Sequence, residues 1–118
     1  MSVARAKLFS MRKSARKVRI VLDLVRGKPI EEAYRILAFT RRGASEEILK
    51  LLRSAVANAN QKGEYSKESL FICRAFADQG LHFKKVEPKA MLRHGMQKKR
   101  TCHVTIELDV KGGQEATA

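Results

Sequence analysis

The spacing of apolar positions changes midway along the chain. In the first half it is helical: Val18, Val21, Leu22 and Val25 fall at i, i+3, i+4 and i+7, one buried face of a helix. Arg12, Arg16, Arg19 and Arg26 fall at spacings that stack them along another side. Ser14 or Ser10 can cap the start, and Gly27 is placed to take the left-handed conformation that ends a helix. Pro29 suits the first turn of a second helix, with Glu31 and Glu32 at its positive dipole end and the stripe Ile30, Ala33, Tyr34, Leu37 facing inward. A third helix carries Ala44, Ile48, Leu51, Leu52, Ala55 and Ala59. It starts from Thr40 if Gly43 is tolerated inside it, or from Ser45 if it is not, and Gly63 stops it.

In the second half the period is two. "TCHVTIELDV" alternates strictly, with Cys102, Val104, Ile106, Leu108 and Val110 on one side, as a half-buried strand requires. "LFICRAFAD", Leu70 to Asp78, is a noisier strand, and "VARAKLF" adds a third in which Val3, Arg5, Lys7 and Phe9 share a face. The order strand, three helices, strand, insert, strand predicts an α+β fold: a three-stranded antiparallel sheet packed on three helices. Residues 1–110 read as one globular domain, no internal repeat is visible, and the tail 111–118, "KGGQEATA", reads as flexible.

The insert is the anomaly. "KKVEPKAMLRHGMQKKRTCH", Lys84 to His103, carries one acidic residue and has no evident core to join. A structureless loop of that length is rare inside a compact domain, which leaves a disordered loop or a protruding β-hairpin arm at about residues 81–100. Two arms of about ten residues would reach on the order of 30 Å, with Pro88 and Gly95 marking bends near the tip. Phe83, Val86, Met91, Leu92 and Met96 make the insert more apolar than a solvated linker, so such an arm makes sense only embedded in something. Free in solution it should be mobile.

Charge says what that something is. The net charge is +13 and the pI about 10.3, which points to a polyanion as partner. Residues 1–28 hold nine Lys/Arg against one acid and residues 81–100 seven against one, while residues 29–80 are nearly balanced. Two separate segments therefore carry the anion-binding capacity. No apolar run approaches the ~20 residues of a spanning helix, and the start of the chain lacks a signal-peptide pattern, so membrane insertion is not expected. Cys73 and Cys102, in no metal-like spacing, read as reduced thiols of a cytosolic protein and as small core residues. No metal or cofactor is expected. His82, His94 and His103 have no carboxylate or nucleophile at a suggestive spacing, and no phosphate loop, HExxH or CxxC is present, which argues against an enzyme.

Three stretches resemble a known family. "SARKVRIVLDLVRGKPIEEAYRIL", Ser14 to Leu37, is similar to the signature opening of the L twenty-two family of large-subunit ribosomal proteins, "SAVANA", Ser54 to Ala59, to its third-helix motif, and "KKRTCHVTI", Lys98 to Ile106, to the return strand of its long hairpin. The resemblance covers about residues 4–110, and the length looks like the bacterial type. It implies a structural constituent of the large ribosomal subunit, cytoplasmic and in the ribosome. The body would lie near the end of the polypeptide exit tunnel among neighbouring large-subunit proteins, and the hairpin would thread through ribosomal RNA to line the tunnel.

By that resemblance Lys84, Lys85, Lys89, Lys98, Lys99 and Arg100 on the arm, and Arg5, Lys7, Arg12, Lys13, Arg16, Lys17 and Arg19 on the body, would neutralise phosphates. The tip, Lys89, Ala90, Met91, Leu92, Arg93 and His94, would approach the lumen and the nascent polypeptide. Here the chain departs from many bacterial relatives, which read roughly Lys-Gly-Arg-Ala where it has Met91, Leu92, Arg93 and His94, with its glycine displaced to Gly95. The alternative reading of the same charge pattern is a DNA-bending architectural protein, since those also extend basic β-arms with a proline near the tip. A cationic membrane-active protein fits less well, for want of a long amphipathic helix flanked by aromatics.

Overall fold

The strand with the cleanest alternation lies between the other two of its sheet. In the computed structural model, which describes residues 3–63, 65 and 68–110, chain order is β1 (Ala4–Met11), α1 (Ala15–Val25), α2 (Ile30–Phe39), α3 (Ser45–Lys62), β2 (Leu70–Gln79), β3 (Phe83–Pro88), β4 (His94–Lys99) and β5 (Cys102–Val110). β5 is central in a sheet of order β1-β5-β2, antiparallel throughout. The expected tail, 111–118, lies outside the described residues.

All three helices pack on one face of that sheet, α3 over β1 and β5 and α1 over β2. Val104, Ile106 and Leu108 from β5 meet Val18, Leu22, Ile48 and Leu52 in a fully buried core. The flanking strands present small side chains, Ala4 and Ala6 on one side and Ala75 and Ala77 on the other, so the helices approach the sheet edges closely. This is the expected α+β arrangement.

Local chemistry sets the boundaries. The Ser14 hydroxyl accepts the Lys17 N–H at 3.4 Å, which selects Ser14 over Ser10 as the cap of α1. Gly27 takes φ +80° and donates its N–H to the Ile72 carbonyl at 2.9 Å. Pro29 sits at the cap position of α2, one residue earlier than expected. α3 starts at Ser45, with Gly43 outside it, and the Ser45 hydroxyl bonds the carbonyls of Thr40 and Arg42 at 3.0 and 2.7 Å.

Two strands depart from simple alternation. β2 reads as noisy because Cys73 is an extra residue: Ile72 faces Leu108 and Arg74 faces Glu107 across the same sheet. The bulge moves the buried positions from Leu70 and Ile72 to Ala75 and Ala77. In β1, Arg5, Lys7 and Phe9 do share the open face, but Val3 precedes the strand and packs against the core. The register then shifts between Leu8 and Met11, with Ser10 at φ +55°.

The outer edge of β2 is sealed from within the chain. Arg19 donates twice to the Ala77 carbonyl, at 3.1 and 2.9 Å, and Arg26 twice to the Ala75 carbonyl, at 3.0 and 2.7 Å. The Ile72 N–H bonds the Lys28 carbonyl at 3.0 Å, and Pro29 bridges Phe71. Thus α1 and the turn after it satisfy the groups that an open edge would offer to another strand.

β3 and β4 pair with each other and with no strand of the body. The Cα radius of gyration is 17.7 Å, against about 13–14 Å for a compact chain of this length. The paired arms are six residues each rather than about ten, so the ladder itself spans roughly 20 Å. Pairing stops early at the root because Gly80 and Thr101 are already committed. The Gly80 N–H donates to the Thr101 carbonyl at 3.0 Å, and the buried Thr101 hydroxyl donates to the Leu81 carbonyl. A Cβ on Gly80 would lie 2.7 Å from that hydroxyl oxygen.

Thr101→Val should therefore lower stability by about 1 kcal/mol by orphaning the Leu81 carbonyl. Gly80→Ala should cost more, because its methyl collides with the same hydroxyl. Urea titration followed by circular dichroism checks both, and a Thr101→Val midpoint equal to the parent's would mean the hydroxyl does not anchor the root.

Candidate nucleic-acid interface

The packing of α1 dictates where its cations go. Ala15, Val18, Val21, Leu22 and Val25 are buried, so Arg16 and Lys17 are turned outward. The first turn holds no acid, and the free N–H groups of a helix start favour anions. Arg12 and Lys13 precede the cap. The return strand of the arm brings Lys98, Lys99 and Arg100 to the same place, making a cleft of ≈ 470 Å³ lined by these six cations other than Arg16, together with Ser14. An adjoining hollow, sharing Ser14 and Arg100, is lined by Arg16, Arg19, Gln79 and Thr101.

No carboxylate lines either surface. Among the described residues the cleft's one ion pair is Lys13 to Glu47, at 3.8 Å, a distance at which an exposed pair contributes little. Arg12 also lies over the Phe83 ring, 5.8 Å from its centroid, which ties the start of α1 to the first residue of β3. A cleft of this composition can hold several phosphates, its guanidiniums in bidentate fashion and its lysines as point charges.

The register of the arm divides its side chains between two faces. Lys84/Lys98, Val86/Met96 and Pro88/His94 are opposite pairs on one face; Phe83/Lys99, Lys85/Gln97 and Glu87/Gly95 are on the other. Two lysines directly opposite one another destabilise a hairpin left in water. Lys89 Nζ turns back to Glu87 at 3.3 Å, its stem crossing Gly95, where a Cβ would lie 2.6 Å from Lys89 Cε. At the tip the Lys89 N–H bonds the Arg93 carbonyl at 2.6 Å, and Met91 and Leu92 take φ +59° and +61°. Their side chains are 89% and 93% exposed.

The structure thus brings together eight of the residues expected to meet phosphate: Arg12, Lys13, Arg16, Lys17, Arg19, Lys98, Lys99 and Arg100. Arg5 and Lys7 lie apart, on the open face of the sheet, where Arg5 faces Glu107. Lys84 and Lys85 point to opposite faces of the arm. The expected stacking of Arg12, Arg16, Arg19 and Arg26 along one side holds only in part, since Arg16 and Arg19 line one hollow and Arg19 and Arg26 reach the same strand. Arg12 precedes the helix, and Arg19 and Arg26 are drawn to the carbonyls of β2. Arg74 joins Arg5 and Lys7 on the open face, over the Phe76 ring at 5.3 Å and 3.6 Å from Glu107. The bulge at Cys73 hides that placement from an alternation pattern.

Groups suited to covalent chemistry are otherwise engaged. His103 Nδ1 accepts the Ser10 N–H at 3.0 Å, and its ring meets Phe9 edge-on. Burial pushes both thiols above the usual cysteine range, with Asp109 and Glu107 adding to the shift at Cys73. At neutral pH they stay protonated and weakly nucleophilic. Among the described residues no helix is long and apolar enough to cross a membrane, and no three His, Cys, Asp or Glu side chains are grouped to hold a metal.

Comparison with known proteins gives consistent matches. Residues 6–109 match the model of the family described as ribosomal protein L22p/L17e. The large ribosomal subunit protein uL22 of Thermoanaerobacter sp. (strain X514) is 44% identical over 108 residues, covering 92% of this chain and 97% of that protein. The protein of the same name from Carboxydothermus hydrogenoformans is 47% identical over 103 residues, 87% of this chain and 91% of its own. That from Latilactobacillus sakei subsp. sakei is 42% identical, with 92% of each chain covered.

The division among arginines is open to measurement. Replacing Arg12, Arg16 and Lys17 together by Glu should leave the urea midpoint of the free protein nearly unchanged. Arg19→Glu alone should cost about 1–2 kcal/mol, because it removes two charge-assisted bonds and sets a carboxylate against the Ala77 carbonyl. Equal losses in both variants would show that Arg19 does no more for the fold than its neighbours.

Proposed function

The chain belongs to the ribosomal protein L22p/L17e family, and from that membership we propose that it is a structural constituent of the large ribosomal subunit which binds ribosomal RNA through its arm-root cleft. In this reading residues 1–110 act as one RNA-binding domain, with the arm at about 81–100, cytoplasmic and within the ribosome. The observation that carries it is the convergence of two basic segments, far apart in sequence, on one carboxylate-free cleft. The opposed Lys84 and Lys98 support it too, since an arm that repels itself is stabilised by phosphates on that face.

The arm then passes through folded RNA, with Lys84, Lys85, Lys98, Lys99 and Arg100 on phosphates and Phe83, Val86 and Met96 against ribose and base surfaces. Lys89 has Glu87 beside it, so its contribution to phosphate binding is smaller. The tip from Lys89 to His94 lines the exit tunnel and meets the nascent polypeptide, while neighbouring large-subunit proteins contact the body.

Binding to large-subunit RNA should weaken steeply with salt, each neutralised phosphate adding about −0.7 to −0.9 to the slope, yet outlast competition by duplex DNA. Filter binding across a salt series decides this. Equal competition by duplex DNA at every salt would favour a DNA-bending protein instead.

Deleting Met91 to His94 removes one of the arm's cations, Arg93, and leaves the root cleft whole. Reconstituted large subunits should therefore form in near-normal yield, with altered protection of the tunnel by drugs or altered stalling on sensor peptides. Lost incorporation would show that the tip anchors the arm, and unchanged tunnel behaviour that it does not line the lumen.

A further inference from the structure

A second groove, which shares no residue with the arm-root cleft, runs along the solvent side of α2 and α3. It holds ≈ 590 Å³, with Tyr34 and Arg35 from α2, Arg53 and Asn60 from α3, and Leu49 and Val56 among its apolar lining. No carboxylate lines it, and among the described residues neither Arg35 nor Arg53 is in an ion pair or hydrogen bond. Burial raises the Tyr34 phenol above its ordinary value, with Arg53 opposing, so at neutral pH it remains a neutral donor. Phe39, one turn beyond Arg35, is 81% exposed.

We infer that this groove docks an acidic, apolar segment of a neighbouring protein, with carboxylates on Arg35 and Arg53 and an apolar side chain over Leu49 and Val56. The charge pattern selects this occupant. Two guanidiniums without partners, set on apolar ground, call for anionic groups separated by apolar ones, and bidentate Arg–carboxylate pairs are strong where water is excluded. Tyr and Arg around an apolar floor are also the residue types that dominate protein interfaces.

An RNA strand fits less well, since it carries a phosphate at every nucleotide. The segment 29–80 is close to neutral, so no broad field draws a polyanion there. The inference rests on the ribosomal reading only in taking the neighbour from the same subunit.

Photocrosslinking in native large subunits tests it, with benzoylphenylalanine in place of Ala57, which lines the groove, or in place of Lys98 at the arm root. The Ala57 position should give a protein adduct whose crosslinked peptide carries Asp or Glu on both sides of apolar residues. Adding Arg35→Glu and Arg53→Glu should lower that adduct about tenfold, while the variant is still incorporated. Arg35→Gln with Arg53→Gln, which removes charge without reversing it, should lower it less. An adduct to RNA, an adduct to a peptide without carboxylates, a yield indifferent to the arginines, or no adduct would each overturn the inference. The Lys98 position should crosslink to RNA, and its failure would count against the RNA reading without touching the groove.

Discussion

Repulsion between like charges that the chain itself leaves unneutralised is the constraint on which the molecule's shape depends. Lys84 faces Lys98 across the arm, and six cations crowd the cleft at its root with a single distant carboxylate beside them. Opposed lysines cost up to about 1 kcal/mol in a hairpin, and a two-stranded ladder has little cohesion with which to offset that. The arm's apolar residues do not help, because Val86, Met96 and Phe83 stay exposed instead of joining the body's core. Held together mainly by its ladder, the arm has few contacts with the body to draw on. Because the arm pairs only with itself, the chain extends over 69 Å in one direction and 25 and 20 Å in the others.

The body has a packed core where the arm has none, although its own first segment, residues 1–28, carries nine Lys/Arg against one acid. α1 is the part that joins the two. Its apolar face enters the core, its arginines at 19 and 26 close the edge of β2, and its first turn supplies the cleft. Sealing the strand edge and orienting the cations are therefore one act of packing: the bonds that fix α1 against β2 also fix Arg16 and Lys17 relative to Arg100. The Gly80–Thr101 link performs the same service from the other side, setting where the return strand leaves the arm. A cationic cleft built from sequence-distant segments keeps its shape because each segment is pinned to the same sheet.

What was legible in the sequence was whatever is encoded locally. The buried helix faces, the Gly27 terminus and the alternation of β5 are decided by residues a few positions apart and appear as read, and of the two caps offered for α1 the structure uses Ser14. The change of apolar period carried the expected order of elements, and the three separated motifs carried the family. Arg19 was not legible, since its spacing on α1 matches that of an exposed cation and its partner carbonyl is 58 residues away. The bulge at Cys73 blurred β2, and the commitment of Thr101 to Leu81 shortened the arm's ladder below what length alone implied. The pair Arg35 and Arg53 was hidden by a segment sum close to zero, which averages over helix faces that the fold turns in different directions.

The tip shows how backbone and side-chain demands separate when the surroundings lie outside the chain. Met91 and Leu92 both hold left-handed backbone, which costs about 1–2 kcal/mol for each non-glycine residue. The turn is closed by the Lys89 and Arg93 backbone bonds, so its shape is set within the arm. Glycine at either position would relieve that cost, and the chain's nearby glycine stands instead at 95, beneath the stem of Lys89. Keeping Met and Leu gives the tip two large apolar side chains that find no core in the body. Their exposure is unfavourable in water and becomes favourable only against a surface that covers them. The backbone strain is thus fixed by the chain, and neither it nor the repulsion of the opposed lysines is offset by contacts with the body.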